Sequence, residues 1–389
     1  MSNRSEHLAA RKLVDISSGQ RHYLDFARVV AVNLVFIEHL CAINGYKSDY
    51  HFGMMGVVIF FLLSGFLIYT AAANRMQRPG EQFFPFLIDR AARIFSPLLP
   101  CIFVVAILNY FVELGDWGLT GVKRGALALF GNVTLLFDYP LFHILSRITG
   151  SEAYRIRPYN TTEQFWTIPI EFWTYIIFAF FIFVLCRGER PNKLIAVPLF
   201  VIAFPVVFYN SFAGPGLALT LIWTMGATAA YFWVNNHKKV KYNFYLGLAI
   251  LMWGVAGGFG RVSKAGFIEF DLQYCLFISM CTFGIFVMLT GASPKMRPLY
   301  RALTFFSSYS YSLYLVHNTI IIVLQRYGPD DFVTKAALSA IFSHVIAIAF
   351  YFCFERFHYN VAGWMKKVFI GNVNSIRAQG STITPPSST

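Results

Sequence analysis

The chain has 389 residues, of which 57% are hydrophobic, 18% aromatic and only 13% charged. Soluble domains average about 25% charged residues, so the composition excludes both a water-soluble globule and a disordered chain. The formal net charge of +13, from 32 Lys and Arg against 19 Asp and Glu, is read as membrane topology and not as nucleic-acid binding, because basic residues gather in the cytoplasmic loops of membrane proteins.

Residues 1–20 are polar and are read as a cytoplasmic N-terminal tail. The first apolar run continues too far to be the core of a cleavable signal peptide. A bilayer is crossed by about 20 predominantly apolar residues in a helix. About ten such runs are predicted, at 25–44, 52–73, 95–114, 164–186, 194–212, 215–234, 243–260, 271–291, 303–325 and 332–354. The weaker segment 124–145 holds Asp138 and His143 and is expected to lie on the membrane or to fold back into it.

The basic residues alternate between loops. One side receives Arg11, Arg21, Arg75, Arg187, Lys239 and Lys366 with their basic neighbours, whereas the other short loops hold only Lys47, Arg261, Lys264 and Arg326. This pattern places both termini in the cytoplasm. The fold class is thus an all-α polytopic membrane protein with a transmembrane unit at 21–360. Residues 361–389 are read as a cytoplasmic tail with a disordered Ser/Thr/Pro-rich end. The six cysteines show no ligand spacing, so neither a disulfide framework nor a metal site is predicted.

Ionisable groups inside spans are costly and mark candidate sites. The first span holds Arg28, Glu38 and His39. Arg28 and His39 are eleven residues apart, which at 100° per residue puts them on one helix face, about 16 Å apart along the axis. Arg28 could also snorkel to headgroups and His39 pack at an interface. Arg90 and Arg93 share a helix face just before the third predicted span. A pair of planar guanidinium forks suits phosphate oxygens, although such a pair is also ordinary positive-inside flanking. In the second span, Ser64-Gly65 reads as a notch for close helix packing or as the lining of a substrate channel. The fourth span sets Glu171 among Trp166, Trp173 and Tyr175. The ninth holds Tyr314 and His317, which either bond between helices or line a channel.

In order, these pieces resemble the acyltransferase 3 family of integral-membrane O-acyltransferases. The resemblance rests on Tyr23-Leu24-Asp25-Phe26-Ala27-Arg28 followed by His39, and on Gly56-Val57, Phe60-Phe61 and Ser64-Gly65-Phe66-Leu67. It continues through Arg90, Arg93, Ile94 and Pro97, then Trp166, Glu171 and Tyr175, then Ser310-Tyr311-Ser312-Leu313-Tyr314-Leu315-Val316-His317, and ends at Glu355. It runs from about residue 21 to 360 and matches the stand-alone type without an esterase-like domain.

The resemblance implies transfer of an acyl group, usually acetyl, from cytoplasmic acetyl-CoA or another acyl-CoA to a carbohydrate hydroxyl, by a multi-pass protein of the bacterial inner membrane. Membrane lipid and the carbohydrate acceptor are the expected partners, and nucleic acid is not. On this reading Arg28, Arg90, Arg93 and Ser64 hold the cofactor, and His39 is the catalytic base. An acyl-histidine route is a second possibility. Glu171 is grouped with His39 as catalytic, with either Glu38 or Glu171 expected to orient its ring. Glu38, Trp166, Tyr175, Tyr314 and His317 line the acceptor site or channel. No metal is expected. The rival reading, a secondary transporter, calls for repeated halves with interrupted helices, and none is visible in the sequence.

Overall fold

The computed structural model describes residues 16–46, 51–112, 126–137, 139–151, 155–212, 216–236, 243–265, 270–292 and 297–380. Among them every regular element is a helix, and there is no strand. Eight described helices are long and apolar enough to cross a membrane. Large apolar side chains face outward along them: Leu194 is 85% exposed and Trp253 70%. Such a surface suits lipid contact and not water.

Helix α1 (Ser18–Ile43) starts at a capping box, in which the Ser17 hydroxyl accepts from the Gln20 backbone N–H and the Gln20 side chain accepts from the Ser17 N–H. The Gln20 amide also donates to Phe286 O at 3.0 Å, which ties this end of α1 to α10 (Leu272–Met288). Helix α2 (Phe52–Met76) packs against α1 and against α8 (Leu217–Asn236). At the α2–α8 crossing the backbones nearly touch. A Cβ on Gly65 would lie 2.0 Å from Trp223 O, and one on Gly226 would lie 2.2 Å from Leu62 O. The Ser64-Gly65 notch is therefore a packing feature at its glycine.

Helix α3 (Phe83–Val112) is longer than the predicted third span and contains Arg90 and Arg93 within its first turns. Two of the charges that shortened the prediction, Asp89 and Arg93, are paired here. Asp89 binds both Arg75 and Lys366, and Arg93 Nη2 lies 2.8 Å from a Glu355 carboxylate oxygen. The segment expected to lie on or fold into the membrane forms two short helices, α4 (Ala126–Thr134) and α5 (Pro140–Thr149). Asp138, between them, lies outside the described residues.

After a 3-10 turn at Glu163–Trp166 come α6 (Thr167–Ala179), continued by a π-helical stretch to Cys186, then α7 (Lys193–Phe212), α8 and α9 (Asn243–Ala265). The predicted ninth span is broken in two, as α11 (Arg297–Ser308) and α12 (Ser310–Tyr327). The break falls at Tyr309, which is 1% exposed and hydrogen-bonds His344 at 3.0 Å. Helix α13 (Phe332–Cys353) and α14 (His358–Gly380) finish the described chain. Residues 361–380 thus belong to a helix that packs on α3 around Ala362, Ile88 and Ala92, whereas 381–389 lie outside the described residues.

Candidate active site

Helices α2, α11 and α12 pack along α1. The buried carboxylate of Glu355 (0% exposed) accepts from the Ser312 backbone N–H at 3.1 Å and from its hydroxyl at 2.6 Å. An anion is thereby placed at the N-terminal turn of α12, where the helix dipole favours it. Its other oxygen holds Arg93. On α1, Arg28 pairs with Asp25 at 3.3 Å, and Asp25 also accepts from Ser307 at 3.0 Å, just before the Tyr309 break.

Arg28, Arg90 and Arg93 line one cavity of about 250 Å3, together with Ser64, Glu171 and Tyr175. The three arginines have different surroundings. Arg28 and Arg93 have carboxylate partners, while the Nε of Arg90 is buried and has no hydrogen-bond partner among the described residues. Beside them Ser64 donates to Glu171 Oε1 at 2.5 Å, Tyr175 OH also donates to Glu171, and Trp223 Nε1 donates to Ser64 Oγ at 3.2 Å. Ser64 is held as a hydrogen-bonding node, and Glu171 as the acceptor of two hydroxyls.

His39 lies eleven residues further along α1. It lines a small chamber of about 90 Å3 with Glu38, His51, Met54, Trp166 and Tyr314. Val57 and Tyr314 line both this chamber and the arginine-lined cavity, and so form the partition between them. The Tyr314 hydroxyl is fixed by Gln164 O and by Thr167 Oγ1, the latter at 2.7 Å.

The imidazole of His39 is not oriented by either carboxylate expected for that role. Glu171 is engaged by Ser64 and Tyr175, and Glu38 accepts from the Phe52 N–H at 3.2 Å. The partner is His317, which is fully buried. His39 Nδ1 lies 2.8 Å from His317 Nε2, with the rings 8° from parallel. His317 Nδ1 in turn lies 3.0 Å from Leu313 O. A carbonyl can only accept, so His317 Nδ1 carries the proton and its Nε2 accepts. His39 Nδ1 must then donate, and the lone pair of His39 is left on Nε2.

The sequence leaves His317 either bonded between helices or lining a channel; the structure bonds it to another helix, at His39, a partner the sequence did not name. Nor did the sequence assign Glu355 a role beyond its place in the motif. Neither contact has a sequence signal, because the partners are hundreds of residues apart and meet only through packing. Among the described residues no cluster of His, Cys, Asp or Glu is suited to a metal ion.

The molecule is thus a polytopic membrane protein with titratable side chains gathered in cavities between its helices. Residues 21–354 match the family described as "Acyltransferase domain", and the chain belongs to that family. It is similar to an "O-acetyl transferase" of Shigella phage Sf6, with 31% identity over 161 residues, 39% of this chain and 43% of that protein. It is also similar to "Nodulation protein 10" of Rhizobium leguminosarum bv. viciae, at 24% identity over 80% of this chain and 86% of that protein. A third relative is "Exopolysaccharide production protein ExoZ" of Rhizobium meliloti (strain 1021), at 26% identity over 72% of this chain and 81% of that protein. No solved structure matches.

Proposed function

We propose that the protein transfers an acetyl group from cytoplasmic acetyl-CoA to a hydroxyl of a cell-surface or exported carbohydrate, with His39 as the general base. The observation that carries this reading is the His39–His317–Leu313 chain, which leaves an unprotonated nitrogen with a free lone pair on a ring that lines an internal chamber. The relatives named for O-acetyl transfer and exopolysaccharide production support a carbohydrate acceptor.

Three arginines around one cavity suit an anionic donor, and the buried, partnerless Nε of Arg90 fits a phosphate oxygen. Arg28 and Arg93 are pre-positioned by Asp25 and Glu355. Ser64 and Tyr175 then offer polar contacts along the path inward. His39 Nε2 removes the proton from the acceptor hydroxyl as that oxygen attacks the thioester carbonyl carbon. The carbon–sulfur bond breaks, and the thiolate of CoA takes the proton back from the imidazolium. The chamber beside His39 is small, about 90 Å3, which suits a short acyl group such as acetyl.

Both termini are assigned to the cytoplasm and the protein to a bacterial inner membrane, so that the arginine-lined cavity faces the acyl-CoA pool. The test is mass spectrometry of surface glycans from cells with and without the gene, and from cells carrying His39→Ala. Loss of an acetyl mass in both altered strains is expected. Unchanged glycans in the deletion strain would overturn the reading.

A further inference from the structure

A second, larger cavity of about 660 Å3 adjoins the His39 chamber and contains none of the arginines described above. Trp166 and Phe270 line both spaces. Their rings meet edge to face, with centroids 5.4 Å apart and planes at 87°, and so form the wall between the two. Phe270 is held by its backbone N–H, 2.8 Å from Met54 Sδ, and has a φ of +53°. Of the four non-glycine residues with positive φ among the described residues, His51, Leu135 and Phe270 line one or other of these two spaces. Such conformations cost about 1–3 kcal/mol each and tend to cluster at functional sites.

The lining alternates aromatic faces with polar groups. Tyr139 and Tyr209 stand beside Asn210 and Arg155. The Tyr139 hydroxyl donates to Ile202 O at 3.0 Å, and the Asn210 amide donates to Val206 O at 2.9 Å. Asn210 Oδ1 rests against Gly216, where a Cβ would come within 2.0 Å of it. Only glycine leaves the amide in that position. A lipid chain would gain nothing from the amide and guanidinium groups. A carbohydrate presents C–H faces to the rings and hydroxyls to the polar groups, and the volume falls within the roughly 300–1,000 Å3 of small-molecule sites.

We infer that this cavity is the acceptor site. It holds one or two residues of the carbohydrate and delivers a hydroxyl past the Trp166–Phe270 wall to His39. The assignment rests on the acyl-transfer reading and adds to it the place where the acceptor binds. Donor and acceptor then reach His39 from different cavities, so their binding can be changed separately.

The test uses the full-length protein purified in detergent, acetyl-CoA, and oligosaccharides cut from the surface polysaccharide of cells that lack the gene. CoA release is followed while each substrate is varied in turn, for wild type, Tyr209→Ala, Asn210→Ala and Gly216→Leu. The KM for oligosaccharide is expected to rise about tenfold or more in each variant, through loss of a ring or polar contact in Tyr209→Ala and Asn210→Ala and through added bulk in the cavity in Gly216→Leu. The KM for acetyl-CoA is expected to stay within about twofold of wild type on the same scale, which also shows that the variants are folded. An unchanged acceptor KM in all three variants overturns the acceptor assignment, and so does an equal rise in both KM values. Absence of oligosaccharide-dependent CoA release by the wild type is a different failure. It overturns the acyl-transfer reading itself, and the acceptor assignment with it.

Discussion

His39 on α1 and His317 on α12 lie 2.8 Å apart through their ring nitrogens, and Leu313 O holds the far side of the second ring. The pair works in one direction only, because the carbonyl at its end fixes every proton. If His317 positions His39 and does not itself react, replacing it should slow turnover without weakening substrate binding. In His317→Leu, kcat is expected to fall by at least about tenfold, and by less than the full ~10²–10⁴ of the base itself. His317→Gln, whose amide oxygen can still accept, should recover part of the loss. A matching rise in KM for acetyl-CoA would instead point to a substrate contact. Steady-state kinetics on the two variants separates these outcomes.

For His39 the expectation is stronger. His39→Ala removes the base and should lower CoA release by about 10²–10⁴-fold. Binding of acetyl-CoA, measured by calorimetry in detergent, should survive, because the arginines sit on the other side of the Val57–Tyr314 partition. Wild-type transfer by this variant would exclude the mechanism.

The arginines should separate by their partners. Arg90 has no ion pair among the described residues, and its removal leaves no orphaned carboxylate. Arg90→Ala is therefore expected to raise the KM for acetyl-CoA with little change in thermal stability. Arg93 neutralises Glu355, which is fully buried. Arg93→Ala strands that charge, a loss that typically costs about 3–5 kcal/mol. Its melting temperature should fall as well, and adding Glu355→Gln should restore much of it. Equal stability of the two single variants would contradict this assignment of roles.

The sequence made the spans and the individual polar residues legible, because hydropathy is a local property. The eleven-residue interval from Arg28 to His39 sits on one continuous helix as expected. The start of α3 was hidden, since Asp89, Arg90 and Arg93 lower the hydropathy of a segment in which Asp89 is paired with Arg75 and Lys366 and Arg93 with Glu355, all from distant parts of the chain. The break at Tyr309 was hidden for a related reason: it falls in the Ser/Tyr stretch from Ser307 to Ser312, which a hydropathy window averages with the apolar residues on either side, and the His344 partner comes from another helix. Partners were the least legible feature. Glu171 looked free to orient His39, but Ser64 and Tyr175 claim it. His317, which the sequence marked only as bonding between helices or lining a channel, takes that place.

Ser64 and Gly65 are adjacent, yet they do different work, and substitution can show this. Gly65 sets how closely α2 approaches α8, with only 2.0 Å between its Cβ position and Trp223 O. Backbone cannot yield as the end of a side chain can, so Gly65→Ala should force the helices apart at a cost of about 1–3 kcal/mol. The same shift would draw Trp223 Nε1 away from Ser64 Oγ, now 3.2 Å distant, and widen the cavity lined by the arginines. Both a lower melting temperature in detergent and a higher KM for acetyl-CoA are therefore expected of Gly65→Ala. Ser64→Ala keeps the close crossing and removes only the hydroxyl between Glu171 and Trp223. It should lower the melting temperature by less than Gly65→Ala does, since Trp223 Nε1 and Glu171 each lose one partner while the backbones stay in place, and it should raise the same KM. If Ser64→Ala melts as low as Gly65→Ala, the hydroxyl serves packing and not the donor cavity.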